Sequence, residues 1–289
     1  MISNNYNILV NNDVVETKLQ YHKTKDGIIF NIENDCNLNI SHQFGPKVII
    51  NFNKNVKCFI NSIYEVPAVE PIIDLNIEQN CHIDEFISFD DQLIDLKINR
   101  NVNVKDNAQY ECSVASFNDC NIDYKIKIDL IGENASAIHN VACLNKDNYK
   151  KQFDVEIINN AINTSGVLNN FGVVKNSATL IFNGIGNIIK GARKSQAHQE
   201  SKIITFDENV VAQANPYLII DEADVEASHA AAVGQMDEEQ LYYLQSRGIS
   251  VDEASLLITY GYLKPILNKI KNDKLKNKLE KIIEDKVMI

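Results

Sequence analysis

Tryptophan is absent from this sequence, and proline is scarce, with 5 residues in 289. No window offers the roughly 18 uninterrupted apolar residues of a membrane-spanning helix. Residues 1–15 lack the basic start and apolar run of a secretory signal. Basic residues are outnumbered 28 to 39, and the formal charge of -11 opposes binding to nucleic acid or to an anionic membrane. We therefore expect a cytoplasmic protein with neither kind of partner.

The common motifs of enzymes are missing as well. There is no GxxxxGK[ST] phosphate loop, no GxSxG nucleophile elbow and no HExxH zinc motif. The 6 cysteines are scattered, and none forms a CxxC pair. Scattered cysteines in a reducing compartment are mostly reduced core residues. The chain is predicted to be a non-catalytic scaffold that works by binding partners.

Alternation of polar and apolar residues dominates residues 1–235. It is clear in residues 125–130 and 153–157, and this period places one face of a strand on a core. Many short strands indicate a sandwich, a barrel or a solenoid, and small polar corners about every 15 residues favour the solenoid. The many asparagines indicate either a ladder along that solenoid or an AT-rich genome. Residues 1–235 are therefore predicted to form a β-helix core.

The pattern changes to a helical one after residue 235. Asp237 is a good N-cap, and Gln240 three residues later can bond back to it. Leu241 and Leu244 share one face of the predicted helix. Gly248 is placed to end the helix as its C′ glycine. A short first helix is therefore expected between residues 237 and 248.

A second helix is predicted by the full capping box of Ser250 and Glu253. Gly261 and Pro265 are expected to end it, and a third helix continues to the end of the chain. Residues 236–289 are accordingly predicted to be a C-terminal helical docking segment. The alternative is a helical cap that only seals the open end of the solenoid.

One histidine is a candidate metal ligand. His229 lies among small residues where the strand pattern gives way to the helical one. A neutral imidazole is a common iron ligand, and Asp224 and Glu226 lie nearby as hard ligands. The alternative is a buried histidine bonded to a backbone carbonyl, with both carboxylates in water.

The segment SHAAAVGQMDEEQLYYLQSRGIS, residues 228–250, resembles the signature of the SufB/SufD family of iron–sulfur cluster assembly. Weaker similarity extends over residues 120–265. The resemblance implies a right-handed parallel β-helix (solenoid) with a C-terminal α-helical segment. It also implies two partners: a SufC-type ABC ATPase, and either a SufB-type subunit or a second copy of the chain. No tightly bound cofactor is expected, and a transient iron–sulfur cluster would meet His229.

Position by position, the resemblance puts the ATPase contact on the first helix and on the start of the second. The contact residues that it implies are Glu239, Leu241, Tyr242, Leu244, Arg247, Gly248, Leu257 and Tyr260.

Departures from the family pattern point to a SufD-like member. Ser201 stands where SufB-type members carry an acceptor cysteine, and Ala230 stands where they tend to have a glutamate. The family's helical N-terminal domain is expected to be absent. Two alternatives remain open: a SufB-like homodimer that binds the cluster itself, and a carbohydrate-active β-helix enzyme, which the missing signal and missing tryptophan disfavour.

Overall fold

The structure is a computed structural model that describes residues 4–11, 14–44, 47–65, 71–90, 95–268 and 273–287. Within these ranges the chain forms 19 strands and 3 helices. The strands are β1 Asn5–Asn11, β2 Val14–Thr17, β3 Tyr21–Thr24, β4 Gly27–Ile32, β5 Cys36–Phe44, β6 Val48–Phe52, β7 Lys57–Tyr64, β8 Ile72–Ile77, β9 His82–Phe89, β10 Asp95–Val104, β11 Gln109–Ser116, β12 Asn121–Leu130, β13 Ser136–Asn145, β14 Lys150–Asn159, β15 Ser165–Val174, β16 Thr179–Ile188, β17 Ser195–Thr205, β18 Val211–Ile220 and β19 Val225–Gln235. The helices are α1 Glu238–Ser246, α2 Val251–Leu267 and α3 Asp273–Val287.

The strands alternate between two sheets. Sheet A has the order β19-β17-β15-β13-β11-β9-β7-β5-β1-β2, and sheet B has the order β18-β16-β14-β12-β10-β8-β6-β4-β3. Only β1–β2 and β3–β4 pair antiparallel among the described strands, and the remaining pairs are parallel. Each coil thus gives one strand to each sheet and stacks on the coil before it. The predicted parallel β-helix with a C-terminal helical segment is confirmed, whereas its division into two domains stays a prediction.

A row of asparagines turns the chain from sheet B to sheet A within each coil. Asn55, Asn80, Asn107, Asn134 and Asn163 all have positive φ, from 54° to 66°, a region that asparagine tolerates better than most residues. The Nδ2 of Asn80 donates to Asn55 Oδ1 at 3.0 Å, and Asn134 donates to Asn107 at 2.9 Å. Asn163 donates to Asn134 at 2.6 Å. The asparagine ladder is therefore present.

The space between the two sheets, called the lumen below, is filled by the inward side chains. Aromatic rings stack from coil to coil on sheet B, with centroids 5.8 Å apart for Tyr124 and Phe153 and 5.6 Å apart for Phe153 and Phe182. The six cysteines are all free and buried, as the sequence predicts.

The lumen also holds an ion pair between Arg100 and Glu85. The Arg100 Nη2 lies 2.7 and 2.6 Å from the two carboxylate oxygens, and both side chains are at most 1% exposed. Tyr110 and Ser62 donate hydroxyl bonds to Glu85 at 2.7 and 2.8 Å, and Arg100 Nη1 donates to Tyr64 at 3.1 Å. These bonds occupy both Nη atoms of Arg100 and both oxygens of Glu85, whereas the buried Arg100 Nε has no hydrogen-bond partner among the described residues. A buried pair is stable only when most of its polar atoms are bonded in this way.

Helices α2 and α3 pack along the outer face of sheet A. Leu263 and Ile266 of α2 and Ile283 of α3 form one buried cluster with Phe86 and Phe117 of the solenoid. The alternative in which the helices only cap the open end does not hold for α2 and α3, because they pack on the apolar outer face of sheet A. Among the described helices, none is long and apolar enough to cross a membrane.

Two lysines of different elements hold the end of α3. Lys286 Nζ lies 2.6 Å from Asp119 Oδ1 in the loop after β11. Lys175, after β15, donates to the carbonyl of Val287 at 3.1 Å. A cation at the carboxyl end of a helix also complements the helix dipole.

Helix α2 continues through Gly261 and Pro265, so the predicted break at these residues is wrong. Proline lacks the N–H that would bond within the helix and costs about 3 kcal/mol relative to alanine. Leu263, Ile266 and Leu267 are each at most 1% exposed. Their burial offsets the missing bond and carries the helix past the proline.

Replacing Glu85 by alanine is expected to lower the free energy of unfolding by about 3–5 kcal/mol, because Arg100 is left as an unpaired charge in the lumen. The exposed Glu133→Ala serves as control, with a change below about 0.5 kcal/mol. Urea denaturation followed by circular dichroism measures both. If both variants lower the free energy of unfolding by the same small amount, the ion pair does not stabilise the packing of the lumen.

Candidate functional site

His229 lies on β19, the edge strand of sheet A at the carboxyl end of the solenoid. It pairs in register with Gln199 of β17 and is exposed. Because Gln199 faces the lumen, His229 occupies the last position of an inward row, left open by the lack of a further coil. The row reads Glu85, Cys112, His139, Leu168, Gln199 and His229.

Gln199 fills the lumen directly behind His229. Its Nε2 donates to the carbonyl of Tyr217 on β18 at 2.8 Å, which ties sheet A to sheet B at the last coil. Gly184 and Gly186 of β16 make room for it, since an added Cβ would lie 2.7 Å from the Gln199 Oε1 and 2.9 Å from its Nε2. The side chain of Gln199 therefore closes the lumen behind the His229 imidazole with polar atoms.

Ser201 faces the lumen in the neighbouring row, two residues further along β17. It is 4% exposed and accepts a hydrogen bond from Asn170 Nδ2 at 3.1 Å. In register it pairs with Asn170 and with Ala231 of β19. Ser201 and His229 thus belong to the same face of sheet A at the same end of the solenoid, although the hydroxyl is a far poorer ligand for iron than a thiolate.

The carboxylates near His229 do not converge on it as a ligand set. Glu226 accepts a bond from Gln196 Nε2 at 3.1 Å, and Asp224 is exposed before β19 begins. Within the described ranges no group of three or more His, Cys, Asp or Glu side chains is arranged to hold a metal. The other imidazole at this end, that of His198, lies on the outer face of sheet A with its Nδ1 2.8 Å from Ser228 Oγ. On the inward face of the last strand the described residues thus supply His229 alone, which is short of the ligands that an iron site requires.

Two caps fix the helical segment just beyond β19. Asp237 Oδ1 accepts from the backbone N–H of Glu239 at 2.9 Å, and Gly248 has a φ of 86° at the end of α1. Ser250 and Glu253 form the reciprocal capping box that starts α2. The predicted Asp237 cap, the C′ glycine Gly248 and the Ser250–Glu253 capping box are therefore confirmed. For Gln240 the bond runs the other way from the prediction, because its backbone N–H donates to Asp237 Oδ1 at 3.4 Å.

Helix α1 buries none of its residues and exposes large side chains. Tyr242 is 74% exposed, and Leu257 at the start of α2 is 53% exposed. The Arg247 guanidinium lies 5.2 Å from the centroid of the Tyr243 ring, a cation–π distance. We call this surface the docking face; it comprises Leu241, Tyr242, Tyr243, Leu244, Arg247 and Leu257.

Of the other three contact residues predicted from sequence, Glu239 and Gly248 are also exposed. Tyr260 is different, because its hydroxyl donates to the carbonyl of Glu280 in α3 at 2.9 Å and its ring packs in the helix–sheet cluster. Burial and the nearby carboxylates of Glu284 and Glu280 raise the pKa of Tyr260 to about 12. Tyr260 therefore holds α3 on α2.

The solenoid interior contains charged residues that were not predicted from the sequence. Lys151 is fully buried, and its Nζ donates to the carbonyl of Asn118 at 2.7 Å; burial lowers its pKa. The sequence signal that could have found these residues is the period of two. In β10 and β14, where buried and exposed residues alternate, Arg100 and Lys151 occupy positions that face the lumen. Burial likewise lowers the pKa of His139 to about 3, with a further contribution from the Arg100 charge.

The chain that adopts this fold is similar in sequence to a known protein family. Residues 48–262 match the family model described as SUF system FeS cluster assembly, SufBD core domain. Because the match covers most of the chain, the chain belongs to this family.

The individual relatives point to the SufD branch. The chain is 38% identical over 180 residues to the iron–sulfur cluster assembly protein SufD of Bacillus subtilis, covering 62% of this chain and 41% of that protein. It is 30% identical over 115 residues to SufBD family proteins of Staphylococcus haemolyticus and Staphylococcus epidermidis, covering 40% of this chain and 25% of each relative. The chain is therefore SufD-like, and it spans less than half the length of these curated relatives.

Tyr242 and Tyr260 should respond in opposite ways to replacement by alanine. Tyr242→Ala is expected to change the free energy of unfolding by less than about 0.5 kcal/mol, because the side chain is exposed. Tyr260→Ala should cost about 2 kcal/mol and speed hydrogen exchange of α3, because a packed ring and its bond to Glu280 are lost. Slow exchange of α3 in the Tyr260 variant would contradict this assignment.

Proposed function

We propose that the chain is a SufD-like scaffold subunit of an iron–sulfur cluster assembly complex and has no catalytic site of its own. It binds a SufC-type ABC ATPase through the docking face and pairs through the last coil of its solenoid with a SufB-type subunit or with a second copy. The observation that carries the proposal is the exposed helix pair beside an open sheet end in a member of the SufBD core family.

The docking face has the properties of a compact protein interface. Tyrosine, leucine and arginine anchors concentrate binding energy when a partner covers them. Here the aromatic residues Tyr242 and Tyr243 are 74% and 57% exposed, and the Arg247 guanidinium lies over the Tyr243 ring. Leaving this apolar area in water is unfavourable, so a covering partner stabilises it. ATP hydrolysis is assigned to that partner because the sequence contains no phosphate-binding loop.

The last coil supports pairing with another solenoid. Strands β18 and β19 are the outer strands of their sheets, and an edge strand presents unpaired N–H and C=O groups to a partner. Tyr217, Ile219 and Val233 on these strands are 46–54% exposed. A partner coil would cover both the backbone groups and the apolar side chains.

His229 lies on this pairing surface, so any cluster held there would draw its other ligands from the partner. The iron–sulfur cluster is then a transient cargo of the pair. The alternative is a SufB-like homodimer, in which two copies of the chain bring two imidazoles to one interface. Anaerobic reconstitution with iron and sulfide separates the two: a stoichiometric cluster on the chain alone, lost in His229→Ala, would favour the homodimer.

Placing two carboxylates on the docking face should break ATPase binding. Leu244→Asp with Arg247→Glu is expected to weaken the complex with a SufC-type ATPase by about a hundredfold, since an apolar anchor and a cation are replaced together. Calorimetry with purified partners measures the affinity. The control Lys278→Asp with Lys281→Glu makes a similar charge change on the exposed side of α3 and should bind normally. Equal affinity of both variants would refute the docking assignment.

If the last coil pairs with another subunit, a charge on its open edge should weaken that association and leave ATPase binding unchanged. Val233→Asp puts a charge on the open edge and should weaken association with a SufB-type subunit, or with a second copy, by about tenfold or more. Ile72→Asp is the matched control, because Ile72 has similar exposure (40% against 46%) but lies on β8, far along the sheet order from the edge. Sedimentation velocity with and without the second subunit measures both. ATPase binding should be unchanged in either variant.

A further inference from the structure

Two cysteines meet inside the first coils of the solenoid. Cys36 begins β5, Cys58 lies near the start of β7, and the two residues pair in register on adjacent parallel strands. Both side chains face the lumen, with exposures of 1% and 3%. Their sulfur atoms are 3.5 Å apart. This contact between free thiols has no part in either binding surface described above.

The backbone already suits a bond between them. Adjacent strands of a sheet lie about 4.8 Å apart, and disulfides form across Cα separations of about 4.4–6.8 Å. Rotation of the side chains closes the remaining gap between the sulfur atoms to about 2.05 Å. Two other buried cysteines are held differently: the Cys81 sulfur bonds to the carbonyl of Asn53, and Cys120 accepts from Asn118.

Access and reactivity favour the same pair. Each cysteine directly follows an exposed residue, Asp35 before Cys36 and Lys57 before Cys58, so both lie at the start of their strands, next to the corner where the coil meets solvent. Either thiol can donate in this contact; the hydrogen bond with Cys58 lowers the pKa of Cys36, and the hydrogen bond with Cys36, together with burial, raises the pKa of Cys58. The thiolate is the reactive form of cysteine, which makes Cys36 the attacking residue.

We propose that Cys36 and Cys58 form a reversible disulfide when the protein meets hydrogen peroxide, and that this bond joins the coil of β4 and β5 to the coil of β6 and β7. The Cys36 thiolate attacks one peroxide oxygen, the O–O bond breaks, and hydroxide leaves to give a sulfenic acid. The Cys58 sulfur then attacks the Cys36 sulfur, the S–O bond breaks, and the departing hydroxide takes the Cys58 proton and leaves as water. The balance is two thiols and one peroxide to one disulfide and two waters.

The bond would act on the weakest part of a solenoid. Each coil is held mainly by its neighbours, and β4 and β5 are followed in their sheets only by strands β1 to β3 among the described residues, so this region has few contacts to keep it closed. A covalent link between residues 36 and 58 closes a short loop and restricts the opened state. We expect hydrogen exchange in β4–β7 to slow several-fold after oxidation, while exchange in β14–β17 stays the same.

The test uses the full chain, first reduced and then exposed to hydrogen peroxide. After alkylation of the remaining thiols, combined cleavage at lysine and glutamate separates residues 34–47 from residues 58–65, and mass spectrometry without reduction looks for the linked peptides. The expected result is this link as the main oxidation product, reversed by dithiothreitol.

Cys36→Ser should abolish the link, and Cys143→Ser, which changes another buried cysteine, should leave it intact. Sulfinic acid at Cys36 with Cys58 still alkylated would overturn the proposal. So would a link that speeds exchange in β4–β7, since the bond would then strain the coils that it is meant to hold.

Discussion

The parallel solenoid cannot close on itself, and most features of this molecule follow from that constraint. Each inward side chain is covered by the residue in register on the next coil, as Gln199 is by His229. The last coil has no successor, so β18 and β19 keep open edges and His229 stays exposed although it belongs to an inward row. An end of this kind is stable in water only while short or covered, and for this reason the end itself is the natural place for a partner.

The helical segment covers a different surface of the solenoid. Its second and third helices cover the apolar outer face of sheet A around Phe86, whereas α1 buries nothing. Strand β19 ends at Gln235 and α1 begins at Glu238, so only Met236 and Asp237 separate the open edge from the docking face. A partner that moves α1 therefore pulls on the edge strand through a very short link. Binding at one surface can in this way affect geometry at the other.

The features predicted correctly from sequence are those set by local chemistry. Asparagine turns, the caps at Asp237 and Ser250 and strand alternation depend on a few adjacent residues, and these are found. Features set by distant packing were missed: α2 continues through Pro265 because Ile266 and its neighbours are buried. The alignment of His229 with Gln199 could not be derived either, because coil lengths vary. Paired residues are 22 positions apart at Cys36 and Cys58 but 32 apart at Thr179 and Val211.

The polar interior has a further consequence for how the coils choose their register. Apolar rows of Ile and Val stack almost equally well after a shift of two residues, so they specify register weakly. A shift of two residues would separate Arg100 from Glu85 and leave a bare charge in the lumen, a penalty of several kcal/mol. The ion pair in the middle of the solenoid thus fixes the alignment of its coils, and with it the rows that end at His229. A scaffold that presents a single imidazole at an open edge depends on this fixed register.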